Sequence, residues 1–250
     1  DWFSPTRGFT AEDVLFSFNR MRIPSHPYHD ISGGHYPFFD NTGVGQQIRD
    51  IRKLGDHQIQ FELNAPNASF LASLASDYAV ILSAEYAQEL LLSGRPAQLD
   101  QLAVGTGPFM QQEFRSNEFI RLHRNPLYWD QPAALERLAF DYTPRPTKRL
   151  AKLLTGECQV MAFPAASQLD FIRKQSNLRL DEESALNTAF LALNVRKKPF
   201  DDLRVRQAIA MGINRDNLLK AVYFGTGEWA NTLLPPISWA HNPNIGEYNY

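Results

Sequence analysis

Apolar and polar residues alternate with a period of two in three runs. Within residues 58–63, Ile59, Phe61 and Leu63 alternate with Gln60 and Glu62, and with Ile48–Leu54 they predict an antiparallel pair turning at Gly55-Asp56. Ile120 and Leu122 alternate with Arg121 and His123, so Phe119–His123 pairs as a hairpin with Phe109–Phe114 across the short polar link Arg115–Glu118. Leu138, Phe140 and Tyr142 alternate with Ala139, Asp141 and Thr143, predicting a strand ended by Pro144. Tyr78–Leu82, Cys158–Phe163, Arg179–Glu183 and Thr188–Val195 are further strand expectations.

Helical periods fall between them. Thr10 and Asp13 form a capping-box pattern ahead of Val14, Phe18 and Met21, which sit at i, i+4 and i+7; a helix is expected over Thr10–Met21, ended by Ile23-Pro24. Shorter helices are expected at Ala68–Ala75, at Ala84–Leu92 (stopped by Gly94), at Lys148–Thr155 with Gly156 following, and at Ser167–Lys174. Asp201 or Asp202 caps a helix carrying Val205, Ala208, Ile209 and Gly212 on one face. Asn214 caps another, which buries Leu218, Leu219 and Val222 and ends at Gly225. Residues 24–46 show no period. Gly105 and Gly107 suggest positive φ or a close approach before Pro108, and Leu127, Tyr128 and Trp129 an apolar plug after Asn125-Pro126. The alternation of types predicts an α/β fold with mixed sheet layered by helices.

Composition narrows the function. At 250 residues the chain is long enough for more than one domain, and a net charge of −2 gives no global field to recruit nucleic acid or an anionic membrane. No run approaches the ~18–20 apolar residues that span a bilayer, and DWFSPTR lacks the basic start and apolar core of a signal peptide. Those features alone suggest a cytosolic protein.

Residues that could carry chemistry are few and scattered. Cys158 has no local base, no GxSxG elbow occurs, and Glu157, Glu182 and Glu183 are scattered acids, so no catalytic residue is assigned. His26, His29 and His35 with Asp30 and Asp40 make a weak metal set, and no metal is expected. Glycines 43, 45, 105 and 107 fit no phosphate-loop spacing. Arg145, Lys148, Arg149 and Lys152 read as a solvated helix face. Gly33-Gly34 after Ser32 forms a turn, or exposes backbone N–H groups to an anion such as a ligand carboxylate.

GTGPF followed by a hairpin and a Tyr-Trp pair resembles the periplasmic dipeptide- and oligopeptide-binding proteins that serve ABC importers. FTAEDVLFSFNRM, HPYHDISGGHYPFF, GECQVMAFPAASQL, NTAFLALNVRKKPFDDLRVRQAIAMGINRDNLLKAVYFGTG and LLPPISWAHN are similar to the same family in the same order, over nearly the whole chain. Within it, TGEC with PAASQL is most similar to the Sap-system branch, and HPYH with SGG is shared with the dipeptide-binding branch.

That resemblance implies a two-lobed periplasmic binding protein of type II, of which this chain is an internal fragment. The family's leader and first strands would precede Asp1, and much of the second lobe would follow Tyr250. Expected divisions are a small subdomain of the first lobe over 1–103, a partial core of that lobe over 104–194, and the start of the second lobe over 195–250. The resemblance also implies ligand contacts at Tyr28, Ser32, Gly33, Gly34, Tyr36, Phe163 and Phe190. The acid and the arginine that anchor a peptide's termini would lie in the second lobe, outside this sequence. Cys158, the single cysteine, is either a small buried thiol or, as the resemblance implies, half of a disulfide whose partner lies upstream. The implied partners are a peptide and the membrane permease, with a monomeric, non-enzymatic protein, no cofactor, no nucleic acid, and a periplasmic location. Antimicrobial peptides are one ligand class the Sap-like resemblance implies; dipeptide- or haem-binding members of the family and, from another class, a hydrolase are the alternatives.

Overall fold

The computed structural model describes residues 3–245. They divide into two compact units, one ending at Tyr142 and the other beginning at Thr143.

The first unit is built on helix α1, Ala11–Arg22. Its start is the expected capping box: Glu12 N–H donates to Thr10 Oγ1 at 3.3 Å, and Thr10 N–H donates to Asp13 Oδ2 at 2.9 Å. Ile23, in extended conformation ahead of Pro24, ends it. Residues 24–46 are not featureless. A 3-10 turn at Asp30–Ser32 is followed by two short helices, α2 (Pro37–Thr42) and α3 (Val44–Gln47). Pro37 at the first helical position and Gly43 at φ +69° supply the start and stop that a search for long apolar periods overlooks.

Strands β1 (Ile48–Gly55) and β2 (Gln58–Leu63) pair antiparallel as predicted, with Ile51 opposite Phe61. Helices α4 (Phe70–Leu74) and α5 (Ala84–Leu92) follow. Between them Tyr78–Leu82 is not a strand. Ser76 Oγ accepts from Tyr78 N–H and turns the chain into a 3-10 turn, and Leu82 N–H is taken by Ser17 Oγ at 2.8 Å instead of a ladder partner. Phe18, Phe39, Val44, Ile48, Ile51 and Phe70 form one core cluster, and Tyr28, Tyr86, Ala87, Leu90 and Leu99 another. Helix α1 serves both: Phe18 lies in the first, and Phe16 packs against the second.

A second sheet follows in the order β3 (Phe109–Arg115), β4 (Phe119–Arg124), β5 (Arg137–Asp141), antiparallel throughout. Gly105 and Gly107 have no positive φ, and a Cβ on either would meet nothing nearer than 4.0 Å. The bend is held by Asn125, 8% exposed: its Nδ2 donates to the Gly107 carbonyl and its N–H to that of Pro108, each at 2.9 Å. The expected plug is not one, since Leu127 and Trp129 are 89% and 76% exposed.

The second unit carries α6 (Pro146–Leu154), α7 (Leu169–Arg173), α8 (Leu203–Met211) and α9 (Arg215–Tyr223). Asp202 and Asn214 cap the last two as predicted, and Gly156 and Gly225 take positive φ after α6 and α9. Cys158–Phe163, Arg179–Glu183 and Thr188–Val195 are not strands. A strand needs a ladder, and in the first of these runs the backbone is engaged elsewhere: Cys158 N–H donates to the Lys152 carbonyl and Arg149 holds the Phe163 carbonyl. In the last, Phe190, Leu191 and Val195 are exposed. Nor do α8 and α9 contain a buried residue: Leu218 and Val222 are exposed, and Leu219 is half-buried.

Candidate functional site

The loop of residues 26–36 leaves α1 at Pro24 and returns at α2, and its side chains divide into anchors and exposed groups. Tyr28 is an anchor. It is 2% exposed, sits edge-on to Phe16 with ring centroids 5.3 Å apart, and donates its hydroxyl to the Ala87 carbonyl at 2.6 Å. His26 Nδ1 accepts from Tyr28 N–H at 3.1 Å, and burial, with Arg20 and His29 nearby, lowers its pKa. His26 is therefore a neutral acceptor. Burial pushes the phenols of Tyr28 and Tyr36 up, so both remain donors at physiological pH.

Tyr36 is half-buried and donates to the His29 carbonyl at 3.0 Å, closing the loop across its mouth. His29 Nδ1 lies 2.8 Å from the Arg20 carbonyl. A carbonyl only accepts, so Nδ1 carries a proton and donates it to Arg20. At the tip, Ser32 and Gly33 are exposed. Gly33 and Gly34 take φ of +89° and +69°, and Gly33 N–H donates to the Asp30 carbonyl. A Cβ on Gly34 would lie 2.7 Å from Asp30 Oδ1, the end of a side chain that can turn away, so the positive φ is what favours glycine there. The amides of Gly34 and His35 make no hydrogen bond among the described residues.

Of the seven ligand-contact expectations, the structure thus gathers five on one loop of the first unit. Tyr28 is packed beneath it, Tyr36 half-buried at its side, and Ser32, Gly33 and Gly34 at its tip. Phe163 and Phe190 belong to the second unit, 90% and 69% exposed. Phe163 has φ +52°, a conformation that costs an L-residue about 1–2 kcal/mol. It is held there by Arg149, which donates to the carbonyls of Thr143, Pro144 and Phe163 at 3.1, 2.8 and 3.1 Å. Arg149 is thus a loop clamp and not part of a free basic face, and Lys152 is engaged with Glu157 at 2.8 Å. Cys158 is a half-exposed free thiol. No group of three His, Cys, Asp or Glu residues among the described residues is placed to hold a metal ion.

The sequence did not reveal what fixes the loop from outside. Arg20 Nη1 pairs with Asp100 Oδ1 at 3.1 Å and its guanidinium lies 5.7 Å from the Tyr36 ring centroid; Asp100 Oδ2 accepts from the Ser32 hydroxyl. Arg20 and Asp100 are 80 positions apart, and no local period joins them.

No helix among the described residues is long and apolar enough to cross a membrane. The chain is 43% identical over 251 residues to the probable ABC transporter periplasmic-binding protein SapA of Escherichia coli K12, covering 100% of this chain and 46% of that protein. It is 41% identical to the dipeptide-binding protein of the same organism, over 99% of this chain and 46% of that protein. A crystal structure of a dipeptide binding protein from Pseudoalteromonas sp. SM9913, in complex with Met-Leu, superposes with a TM-score of 0.85 at 42% identity, over 97% of this chain and 48% of that one. The chain spans about half the length of the curated relatives it matches. The α/β architecture is that of these two-lobed proteins. Residues 3–250 match the model of the bacterial extracellular solute-binding proteins, family 5 Middle, and the chain belongs to that family.

Proposed function

We propose that the chain is part of the periplasmic solute-binding component of an ABC importer, one that captures peptides between two lobes and delivers them to a membrane permease. The observation that carries this reading is end-to-end likeness, at 43% and 41% identity, to relatives named for periplasmic binding and dipeptide binding. It acts as a monomer, by binding and not by catalysis, with no cofactor and no nucleic acid. The small subdomain of the first lobe is assigned to 1–103, its core to 104–194, and the start of the second lobe to 195–250.

Peptide main chain carries donors and acceptors common to every sequence, so a site that addresses them tolerates many side chains. The open amides of Gly34 and His35 suit a carbonyl or carboxylate oxygen of such a ligand. Tyr28 supports that loop from below and Tyr36 offers aromatic surface at its side; Phe163 and Phe190 are exposed aromatic rings of the second unit, taken by itself. Ligand stabilises the closed arrangement of lobes by its higher affinity for it, and the permease reads that state.

Two preparations test this reading: a protein of the family's full length, and the 250-residue chain alone. Native mass spectrometry of the first finds co-purified peptide, and calorimetry finds Met-Leu or a longer peptide bound. The chain alone binds negligibly, because the residues anchoring the peptide's termini belong to the half of the family length it does not cover. Micromolar binding by the chain alone, or hydrolysis of a chromogenic peptide lost on mutating one acid, overturns the proposal. A second reading, haem capture, draws on the His29 imidazole, whose Nδ1 is held by the Arg20 carbonyl; a Soret band on adding haem, lost in His29→Ala, would favour it.

A further inference from the structure

We infer that Arg20 and Asp100 are positioning residues for the loop tip Ser32–Gly34, acting on ligand affinity without touching ligand. The inference rests on the peptide-binding reading and adds which residues set the geometry of that contact. A tip with two successive glycines is the least restrained backbone a chain can offer, since glycine visits positive and negative φ alike. Left alone, Gly33 and Gly34 would lose affinity to the entropy of being ordered on binding.

The structure removes that freedom with links from outside the loop. Ser32 donates its hydroxyl to Asp100, the residue that ends the 3-10 turn Pro96–Asp100, and Leu99 beside it is 1% exposed in the core. Asp100 is fixed in turn by Arg20, whose side chain in the salt bridge is only 12% exposed. Arg20 then reaches the loop by two further routes: its carbonyl accepts the His29 ring proton at 2.8 Å, and its guanidinium faces the Tyr36 ring. Tyr36 returns to the His29 carbonyl, so the tip is bracketed at Ser32, His29 and Tyr36 by groups rooted in α1 and in the turn before Gln101. Each link alone is weak, but a closed set holds more than its members taken singly. The Gly34 and His35 amides are thereby presented in one arrangement before ligand arrives.

The test compares wild type with Asp100→Ala, Asp100→Asn and Ser32→Ala. Hydrogen exchange on the 250-residue chain is expected to show the Gly33 amide, which donates to the Asp30 carbonyl, opening about five- to tenfold faster in Asp100→Ala. Amides of α1 stay at wild-type values; Asp100→Ala, which leaves the 12%-exposed Arg20 side chain without that carboxylate, lowers the melting temperature, whereas Ser32→Ala leaves it unchanged. Asp100→Asn, which keeps an oxygen for the Ser32 hydroxyl, restores part of the protection. Ser32→Ala cuts that link alone and loosens the tip even if Asp100→Ala melts the chain. In the family-length protein, calorimetry with Met-Leu is expected to find the affinity of Asp100→Ala reduced by a similar factor. Unchanged exchange at the tip in both Asp100→Ala and Ser32→Ala overturns the inference, as does a loosened tip with affinity intact. If wild type itself binds no peptide, the peptide reading fails, and the holding of the loop is judged by exchange alone.

Discussion

Replacing Asp13 by asparagine should be among the most damaging isosteric changes in the first unit. The carboxylate is 4% exposed and accepts four hydrogen bonds: from Arg7 Nη1 and Nη2 at 2.8 and 2.9 Å, and from the N–H groups of Thr10 and Ala84 at 2.9 Å each. Those donors join the segment before α1, the first turn of α1 and the first turn of α5. Asparagine keeps the shape, removes the charge and turns an –NH2 toward donors. Stripping one partner from a buried pair costs about 3–5 kcal/mol. The Arg7 side chain is 33% exposed and regains some hydration, so about 2–4 kcal/mol is expected here. In a domain of this size that lowers the melting temperature by about 5–15 °C.

The pH profile supplies a second reading. Burial pushes the Asp13 carboxyl up, but the Arg7 guanidinium and the amides of Thr10 and Ala84 outweigh it and hold the group below the usual carboxylate range. Its contribution is therefore fully present above the unfolded value near ~3.9 and is lost as pH falls through the folded one. Circular dichroism melts from pH 7 to pH 2 should show wild type losing its advantage over Asp13→Asn below about pH 4. A variant melting within about 2 °C of wild type at pH 7, with a parallel acid profile, would refute the reasoning.

Tyr28→Phe removes the hydroxyl that satisfies the buried Ala87 carbonyl and should cost about 1–2 kcal/mol in urea denaturation, with no change in slope. Gly34→Ala places a Cβ 2.7 Å from Asp30 Oδ1 at φ +69°; Asp30 can swing away but the backbone cannot, so about 1–2 kcal/mol of local strain is expected, read as faster exchange of the hydrogen-bonded Gly33 amide with the α1 amides unchanged. Cys158 should react with a thiol reagent within minutes in this chain and remain unlabelled in the family-length protein; equal labelling of both would count against the buried and the disulfide-bonded readings of that residue alike.

The elements that could be read from sequence are those whose signal is local. The Thr10–Asp13 box, the β1–β2 register with Ile51 opposite Phe61, and the caps at Asp202 and Asn214 each depend on residues within a few positions or on one turn. The misread strands share a different feature. Cys158–Phe163 has strand composition, but strand composition describes a surface that pairs well and not the presence of a partner. Its backbone groups went to Lys152 and Arg149 instead. Leu218 and Val222 make the same point for helices: the period marks an apolar side correctly, yet 49% and 55% of each remains exposed, because periodicity does not say what lies against the face.

The candidate loop divides along the same line. Gly33-Gly34 and the tyrosines around it were legible because turn chemistry and amphipathic rings are properties of single residues. That Tyr28 would be swallowed by the core while Tyr36 stayed half-exposed was not, since it is decided by the Ala87 carbonyl and the His29 carbonyl respectively. The Arg20–Asp100 pair was invisible for a stronger reason. Either residue, read alone, is an ordinary charge on a helix or turn, and only the packing of α1 against the Leu99 cluster brings them within 3.1 Å. A loop that must hold two glycines still cannot do so with its own residues, so its restraints have to come from distant parts of the chain. It follows that single-sequence pattern will find the groups that touch a ligand more readily than the groups that hold them in place.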